Sequence, residues 1–318
     1  MSNSLFHSPS EPRILYMGTP AISAIVLTGL LENHFNVIGL VCNEDKPVGR
    51  KGKIEPPPTK VVAQKYGVPV FQPHRIRLEN DFIHDLRPDV IVTMAYGQIV
   101  PEVVLSAPKY GCLNLHGSLL PAWRGAAPIQ RSLIAGEKET GVTLMEMVAA
   151  MDAGRMYDKT VVNIEESDNY SSLSEKIGLA ARDLILRDLL PYLNGDLKGE
   201  EQDEKLVTFA AKIKPEEEHL DLKMNSLDFI HMLRGLSEKP GGYLLLDGKK
   251  MKIFKASVFS AESTQPIGTT VSNKKKLLLQ LSDGVISLDE VQLEGKKMMD
   301  GTSFLNGFRS AIEGARFE

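Results

Sequence analysis

Asn114 and His116 are the two residues of this chain best suited to chemistry on a carbonyl group. They lie at the predicted end of an apolar strand, and Gly117 follows at once. Because residues i and i+2 of a strand point to the same side, we expect the carboxamide and the imidazole to converge. An amide donor beside a titratable ring suits a reaction in which negative charge develops on a carbonyl oxygen. Taken alone, the pair could also contain a structural histidine held by hydrogen bonds.

Two further segments accompany this pair. Residues 118–130 continue it with Ser-Leu-Leu-Pro-Ala-Trp-Arg-Gly-Ala-Ala-Pro-Ile-Gln, and Asp152 lies in the small-residue turn Met-Asp-Ala-Gly. Together the segments resemble the folate-dependent formyltransferases. The resemblance extends from about Arg13 to the C-terminus and is densest between Val90 and Asp152.

The resemblance implies formyl transfer from 10-formyltetrahydrofolate to the amino group of methionine on initiator tRNA. Asn114, His116 and Asp152 match the catalytic positions of the family. The amide and the imidazolium would face the oxyanion, and the carboxylate would keep the imidazole charged and relay a proton. Neither cysteine matches a nucleophile position, so we expect direct transfer without a covalent enzyme intermediate. The alternative role for Asp152 is that of a turn-forming residue.

Two segments are predicted to bind the folate. The turn Ser118, Leu119, Leu120 and Pro121 offers apolar surface and backbone polar groups to a flat pterin. The resemblance also places the pterin against Tyr96, Gly97, Gln98 and Ile99, at the end of a strand where ligands commonly bind. Glycine and tyrosine at a strand end also serve simply to turn the chain. The segment 17–20, Met-Gly-Thr-Pro, lacks the Gly-x-Gly-x-x-Gly pattern, which disfavours a dinucleotide-binding dehydrogenase.

A long loop, predicted over residues 43–58, is basic at its centre and rich in glycine and proline. Loops of this length in compact domains are usually functional or disordered. The loop resembles the family insertion that grips the acceptor end of initiator tRNA, and Arg50 matches its main contact residue. Arg50, Lys51 and Lys53 would meet phosphates or unpaired bases. The alternative is a solvated loop without a partner.

Composition favours a soluble protein of two domains. The chain has 318 residues, of which 42% are hydrophobic and 25% charged. Its two cysteines, Cys42 and Cys112, lie in apolar runs and are expected to be buried thiols in a reducing compartment. No zinc-ligand spacing is present, so no metal is expected. With no transmembrane-length apolar run and no targeting pattern, we expect a cytoplasmic and, since initiator tRNA is formylated, bacterial protein.

Strands and helices alternate over the first two thirds of the chain. This order predicts the α/β class, with a doubly wound, mostly parallel sheet of Rossmann-like type. The predicted order is a loose tail over residues 1–12, a catalytic domain over 13–194 and a linker over 195–206. Residues 207–318 contain a charged helix and short strands separated by turns, and the resemblance implies that they form a small OB-like β-barrel that helps to hold the tRNA.

The charged residues of this last region have two interpretations. It holds 16 basic and 15 acidic residues, whereas the whole chain has a net charge of −4. Its lysines either line an RNA-facing surface or keep hairpin tips soluble; they are Lys249, Lys250, Lys252, Lys255, Lys274, Lys275 and Lys276. Residues 237–242, Ser-Glu-Lys-Pro-Gly-Gly, depart from the aromatic segment that the family tends to carry there.

Two alternatives stay open. The acceptor could be a nucleotide-sugar amine or another small amine such as a purine precursor, since those enzymes share the core motifs but do not need a basic RNA clamp. Outside enzymes, the chain could be a tRNA-binding protein with an inactive core. The expected partners are folate and initiator tRNA, without DNA or membrane.

Overall fold

The computed structural model describes residues 5–48, 52–262, 265–271, 273, 275–312 and 315–318. Its strands are β1 (Ile14–Gly18), β2 (Val37–Val41), β3 (Lys46–Val48), β4 (Lys53–Glu55), β5 (Val70–Phe71), β6 (Val90–Met94), β7 (Cys112–His116), β8 (Arg124–Gly125), β9 (Glu139–Glu146), β10 (Met156–Asn163), β11 (Phe209–Ala210), β12 (Gly242–Leu246), β13 (Lys249–Ser260), β14 (Thr270–Val271), β15 (Leu278–Gln280), β16 (Val285–Leu293) and β17 (Met299–Asp300). Its helices are α1 (Ala21–Glu32), α2 (Pro58–Lys65), α3 (Asp81–Leu86), α4 (Glu102–Leu105), α5 (Pro128–Ile134), α6 (Tyr170–Leu193), α7 (Ser226–Leu236) and α8 (Gly301–Ile312). Short 3-10 turns span Glu204–Leu206 and Pro215–Glu218.

A seven-stranded sheet forms the centre of the first part of the chain. Its order is β10-β9-β7-β6-β1-β2-β5. The strands from β7 to β5 pair in parallel, and β9 and β10 add an antiparallel edge. Strands β1 and β6 are buried along their whole length, as expected for parallel strands covered on both faces. The predicted α/β class with a mostly parallel sheet is confirmed.

The parallel register brings the predicted site segments to one edge of this sheet. Gly18 pairs with Met94, and Thr93 pairs with Asn114. The carboxyl ends of β1, β6 and β7 therefore lie side by side. Such an edge is where open α/β sheets usually bind ligands.

The segment predicted as a loop over residues 43–58 contains a two-stranded hairpin. Strands β3 and β4 pair antiparallel, with Lys46 opposite Glu55 and Pro47 opposite Ile54. Strand β4 is exposed throughout. No alternation of apolar and polar residues marks these strands because neither face is buried, and proline is tolerated because both strands are edges. The prediction of an irregular loop was wrong for these six residues.

The chain divides into two compact units that interleave along the sequence. The first comprises residues 1–125, 139–163 and 174–210, and the second comprises 126–138, 164–173 and 211–318. Helix α5 thus belongs to the second unit, where it packs against α7. Within this unit the Arg131 guanidinium forms an ion pair with Glu217 at 2.6 Å.

The second unit is built around an antiparallel sheet. Its order is β12-β13-β16-β15-β14, with β17 paired to β16. The C-terminal residues bridge both edges, since Phe317 pairs with Leu246 and Arg316 pairs with Thr269. The curled sheet encloses an apolar core that includes Phe229. The predicted C-terminal β domain is confirmed.

The described part of the predicted loose tail makes specific contacts. The backbone N–H groups of Leu5 and Phe6 both donate to Asn194 Oδ1 at 2.9 Å. The Phe6 ring meets Tyr110 edge to face, with ring centroids 5.5 Å apart. Separately, no helix among the described residues is long and apolar enough to cross a membrane.

Candidate active site

Asn114 lies on β7 with its side chain half-buried and oriented by the neighbouring strand. The Thr93 hydroxyl, on β6, is 2.9 Å from Asn114 Oδ1 and 3.0 Å from the carbonyl of Leu113. Within the described residues, Asn114 Nδ2 has no hydrogen-bond partner. When Thr93 donates to Oδ1, the Asn114 amide N–H groups are left to bind an oxyanion.

His116 is buried, and its surroundings fix which ring nitrogen faces the carboxylate. Nε2 is 2.9 Å from the backbone carbonyl of Trp123. A carbonyl only accepts, so Nε2 carries a proton and donates it. Nδ1 then faces Asp152 Oδ2 at 3.7 Å. That distance is too long for a hydrogen bond but short enough for the carboxylate to stabilise an imidazolium.

Asp152 is held in an unusual backbone conformation. Its φ is 51°, in the left-handed region that residues with a Cβ rarely adopt. The backbone N–H of Gly125 donates to Asp152 Oδ2 at 2.9 Å. The chain passes so closely here that a Cβ on Gly154 would lie 2.0 Å from the carbonyl oxygen of Glu146. The structure therefore places Asp152 beside His116, and Asn114 lies two residues before His116 on the same strand.

Two residues beside this trio were not predicted as functional. Gln202 lies in the predicted linker, yet it is buried and donates to the backbone carbonyls of Asp152 and Gly154 at 2.7 and 2.9 Å. Arg124 donates from Nε to Gln202 Oε1 at 2.9 Å. No periodicity marks a single buried amide in a polar stretch. The only indication in the sequence is an uncharged glutamine between two acidic residues.

The turn from Ser118 to Pro121 follows directly after His116. The Ser118 hydroxyl donates to the Ala122 carbonyl at 2.6 Å. Thr143 binds both ends of the turn, accepting from the Leu120 N–H and donating to the Ser118 carbonyl. The side chains of Ser118 and Leu120 are buried, whereas Leu119 and Pro121 are partly exposed. Lys159 Nζ donates to the Leu120 carbonyl, and burial lowers the pKa of this lysine.

The segment from Tyr96 to Ile99 leaves β6 at the same sheet edge. Tyr96 is buried, and burial raises the pKa of its phenol. Gln98 is engaged inside the protein, where its Nε2 donates to Asn43 Oδ1 at 3.0 Å. Gly97 adopts a φ of 89°, and Ile99 is 84% exposed. Ile99 is therefore the side chain of this segment most open to a ligand.

Of the predicted tRNA-binding residues, the structure describes only Lys53. Arg50 and Lys51 lie outside the described residues. Lys53 lies on β4 and is exposed. Asp45, at the base of the hairpin, accepts from Lys60 Nζ at 2.9 Å, and hydrogen bonds from Gln72 and Lys60 lower its pKa.

Neither thiol is activated as a nucleophile. Burial raises the pKa of Cys112 to about 12 and that of Cys42 to about 11. A protonated thiol is a weak nucleophile. Among the residues that the structure describes, no group of three or more histidine, cysteine, aspartate or glutamate side chains is arranged to hold a metal ion.

Comparison with protein families gives two matches that together span most of the chain. Residues 13–189 match the formyl transferase family, and residues 212–309 match the formyl transferase C-terminal domain. The chain is 40% identical to the methionyl-tRNA formyltransferase of Malacoplasma penetrans over 302 residues, covering 95% of each protein. It is also 40% identical to the methionyl-tRNA formyltransferase of Bacillus subtilis, covering 93% of this chain and 94% of that protein.

Solved structures show the same fold at lower identity. HypX from Aquifex aeolicus, solved with tetrahydrofolic acid, superimposes with a TM-score of 0.67 at 16% identity and covers 96% of this chain and 49% of that one. WlaRD, a sugar 3N-formyl transferase solved with dTDP and 5-N-formyl-THF, gives a TM-score of 0.66 at 19% identity. It covers 90% of this chain and 99% of that one.

Proposed function

This chain belongs to the formyl transferase family, and we propose that it transfers the formyl group of 10-formyltetrahydrofolate to the amino group of methionyl initiator tRNA. The observation that carries the proposal is the pair of His116 and Asp152, with Nδ1 and Oδ2 3.7 Å apart, beside Asn114 two residues earlier on the same strand. Relatives that carry the name methionyl-tRNA formyltransferase match almost the whole chain and support this acceptor.

The three side chains have distinct roles in this reaction. The transfer forms a bond between the acceptor nitrogen and the formyl carbon, breaks the bond from that carbon to the folate nitrogen, and moves one proton between the two nitrogens. Asn114 Nδ2 donates to the oxygen on which negative charge develops. Protonated His116 adds positive charge, and Asp152 stabilises that imidazolium and relays the proton.

The protonated thiols support direct transfer. A covalent acyl-enzyme would need an activated nucleophile, and burial disfavours the thiolate form of both cysteines. Neither cysteine side chain has exposed surface at the site. Asn114, His116 and Asp152 therefore act on the two substrates held side by side.

The two substrates approach the trio from different segments. On the donor side, Leu119, Pro121, Gly97 and Ile99 offer partly exposed surface at the sheet edge, which suits a flat apolar ring system. The buried side chains of Ser118, Leu120 and Tyr96 and the half-buried Gln98 support these two segments from within the protein. When bound, 10-formyltetrahydrofolate supplies the activated formyl group.

On the acceptor side, Arg50, Lys51 and Lys53 of the hairpin segment bind the acceptor end of the tRNA. Residues 13–194 carry the chemistry, and residues 207–318 contribute further RNA contacts. The exposed Lys249 and Lys250 on β13 lie in this region. The relatives named above are bacterial proteins, which supports a cytoplasmic enzyme of bacterial translation initiation.

A nucleotide-sugar amine is the second candidate acceptor, favoured by the fold that the chain shares with a sugar 3N-formyl transferase. The test offers 10-formyltetrahydrofolate with either charged initiator tRNA or a dTDP-amino sugar to the same enzyme. Formylation of the tRNA alone is the expected result. Formylation of the sugar alone would show that the acceptor is a sugar amine and not the tRNA. Absence of any folate-dependent turnover would indicate a binding protein with an inactive core.

A further inference from the structure

The side-chain amide of Gln202 connects two other segments of the first unit, one at Arg124 and one at the Asp152 loop. It is only 7% exposed. Its Oε1 accepts from Arg124 Nε at 2.9 Å, and its Nε2 donates to the carbonyls of Asp152 and Gly154 at 2.7 and 2.9 Å. A buried amide with this many partners costs little to bury and holds each partner in place.

The orientation of the Gln202 amide is fixed by Arg124. A guanidinium donates and never accepts, so the oxygen of Gln202 must face it and the NH2 group must face the two carbonyls. Arg124 is itself buried and forms an ion pair with Glu204 at 2.8 Å. The amide therefore points its two N–H groups at the Asp152 loop in one orientation.

The Asp152 loop needs such support. The left-handed backbone of Asp152 is intrinsically unfavourable and persists only where the surroundings determine it. Gln202 holds the carbonyl of this residue on one side, and the Gly125 N–H holds its Oδ2 on the other. Between these two contacts, the carboxylate is placed 3.7 Å from His116 Nδ1.

We infer that Gln202 is a positioning residue that keeps the Asp152 carboxylate aligned with His116 for formyl transfer. The inference rests on the proposed function, because it assigns Gln202 a role only through Asp152. Gln202 itself touches the backbone of the loop and not the reacting atoms. Misplacement of a catalytic group by about 1 Å can lower a rate by about a hundredfold.

Two substitutions separate the hydrogen bonds of Gln202. Gln202→Met keeps the length of the side chain and removes every hydrogen bond. Gln202→Glu keeps an acceptor for Arg124 but loses both donors to the loop. We expect each variant to lower kcat by about ten- to a hundredfold. The KM for 10-formyltetrahydrofolate and the fluorescence response of Trp123 to folate should stay within about threefold of wild type, since the donor pocket keeps its contacts.

Glu204→Gln is the matched control. It alters the same network at an ion-paired carboxylate that is 74% exposed and does not contact the Asp152 loop. We expect kcat within about twofold of wild type, as for most exposed ion pairs. Unfolding temperatures of all variants are measured alongside, so that a loss of fold is separated from a loss of alignment.

A double-substitution cycle with Asp152→Asn tests whether Gln202 acts through Asp152. Once the carboxylate is gone, Gln202→Met should lower the remaining rate by less than about threefold. An equal loss in both backgrounds, an unchanged kcat in the single variants, or a rise in KM alone would overturn the inference. If wild type and Glu204→Gln also fail to formylate tRNA, it is the proposed function that fails.

Discussion

A backbone carbonyl fixes which nitrogen of the His116 imidazole faces Asp152. The Trp123 carbonyl accepts the Nε2 proton in a hydrogen bond, so Nδ1 is the ring nitrogen that faces Asp152. The sequence placed Asn114 and His116 on one side of a strand. It could not place the Trp123 carbonyl, because that contact depends on the path of the turn between them.

Substitutions of Asn114 and Thr93 test the role of the Asn114 amide as an oxyanion donor. The Thr93 hydroxyl is 2.9 Å from Asn114 Oδ1 and is buried. Asn114→Ala removes the oxyanion donor and should lower kcat by about a hundred- to a thousandfold. Thr93→Val keeps the shape but removes the orienting hydrogen bond, which should cost about tenfold.

Both losses should appear in kcat from steady-state assays, with a cooperative unfolding transition retained. Thr28→Val is a suitable control, since its hydroxyl bonds only within α1. A wild-type rate in Asn114→Ala would remove this residue from the mechanism.

Secondary structure was predictable where burial leaves a periodic pattern. Helix α7 (Ser226–Leu236) and strand β12 (Gly242–Leu246) correspond to the charged helix and to one of the short strands that the sequence predicted within residues 207–318. Helices α5 and α8 were not predicted. The first has only seven residues and begins inside the motif of residues 118–130, and the second is interrupted by a non-helical Phe308. The pairing of β8 with β11 joins two-residue strands, which are too short to show any periodicity.

The hairpin of β3 and β4 is the element with the clearest functional prediction. Arg50→Ala and Lys53→Ala should each raise the KM for tRNA several-fold and leave that for folate unchanged, because phosphate contacts contribute to RNA binding alone. The slope of log KM for tRNA against log salt concentration should decrease by about one for each lost contact. Lys65→Ala, at the exposed end of α2, should change neither value. Equal effects on both substrates would show that the hairpin is not an RNA clamp.

Burial of Cys42 and Cys112 makes the free energy of unfolding depend on pH. Burial raises the pKa of Cys112 to about 12 and of Cys42 to about 11, from an ordinary value of 9.0. Below pH 9 the folded and unfolded states both keep these protons, so the stabilisation is complete. As the pH rises above 9, the unfolded state loses them first, and the free energy of unfolding should fall until the folded thiols ionise.

Urea midpoints measured between pH 8 and pH 10.5 test this expectation. A thiol reagent at pH 8 should label the native protein slowly and both cysteines of the urea-unfolded protein rapidly. Rapid labelling of the native state, or a midpoint that rises with pH, would contradict the assigned burial.

At the scale of the whole molecule, the chain does not divide at a single point. Helix α5 and residues 164–173 belong to the same compact unit as residues 211–318. The sequence predicted a linear order of catalytic domain, linker and β domain. Interleaving could not be seen there, because it depends on contacts between segments roughly a hundred residues apart.

Truncation tests this organisation. A fragment of residues 1–206 keeps α5 but lacks α7, against which α5 packs. Ile129 and Leu133, both buried in the full chain, should then be exposed. We expect the fragment to bind a hydrophobic dye and to aggregate at concentrations where the full chain does neither. A fragment that neither aggregates nor binds the dye would show that α5 does not need α7 to cover its apolar side chains.

The most direct test of the account is formylation of charged tRNA resolved on an acid gel. The enzyme is given 10-formyltetrahydrofolate with charged initiator tRNA, and in parallel with charged elongator methionine tRNA. We expect rapid formylation of the initiator, little of the elongator, and none by the His116→Ala variant. Formylation of neither tRNA by a folded protein that binds folate would contradict it.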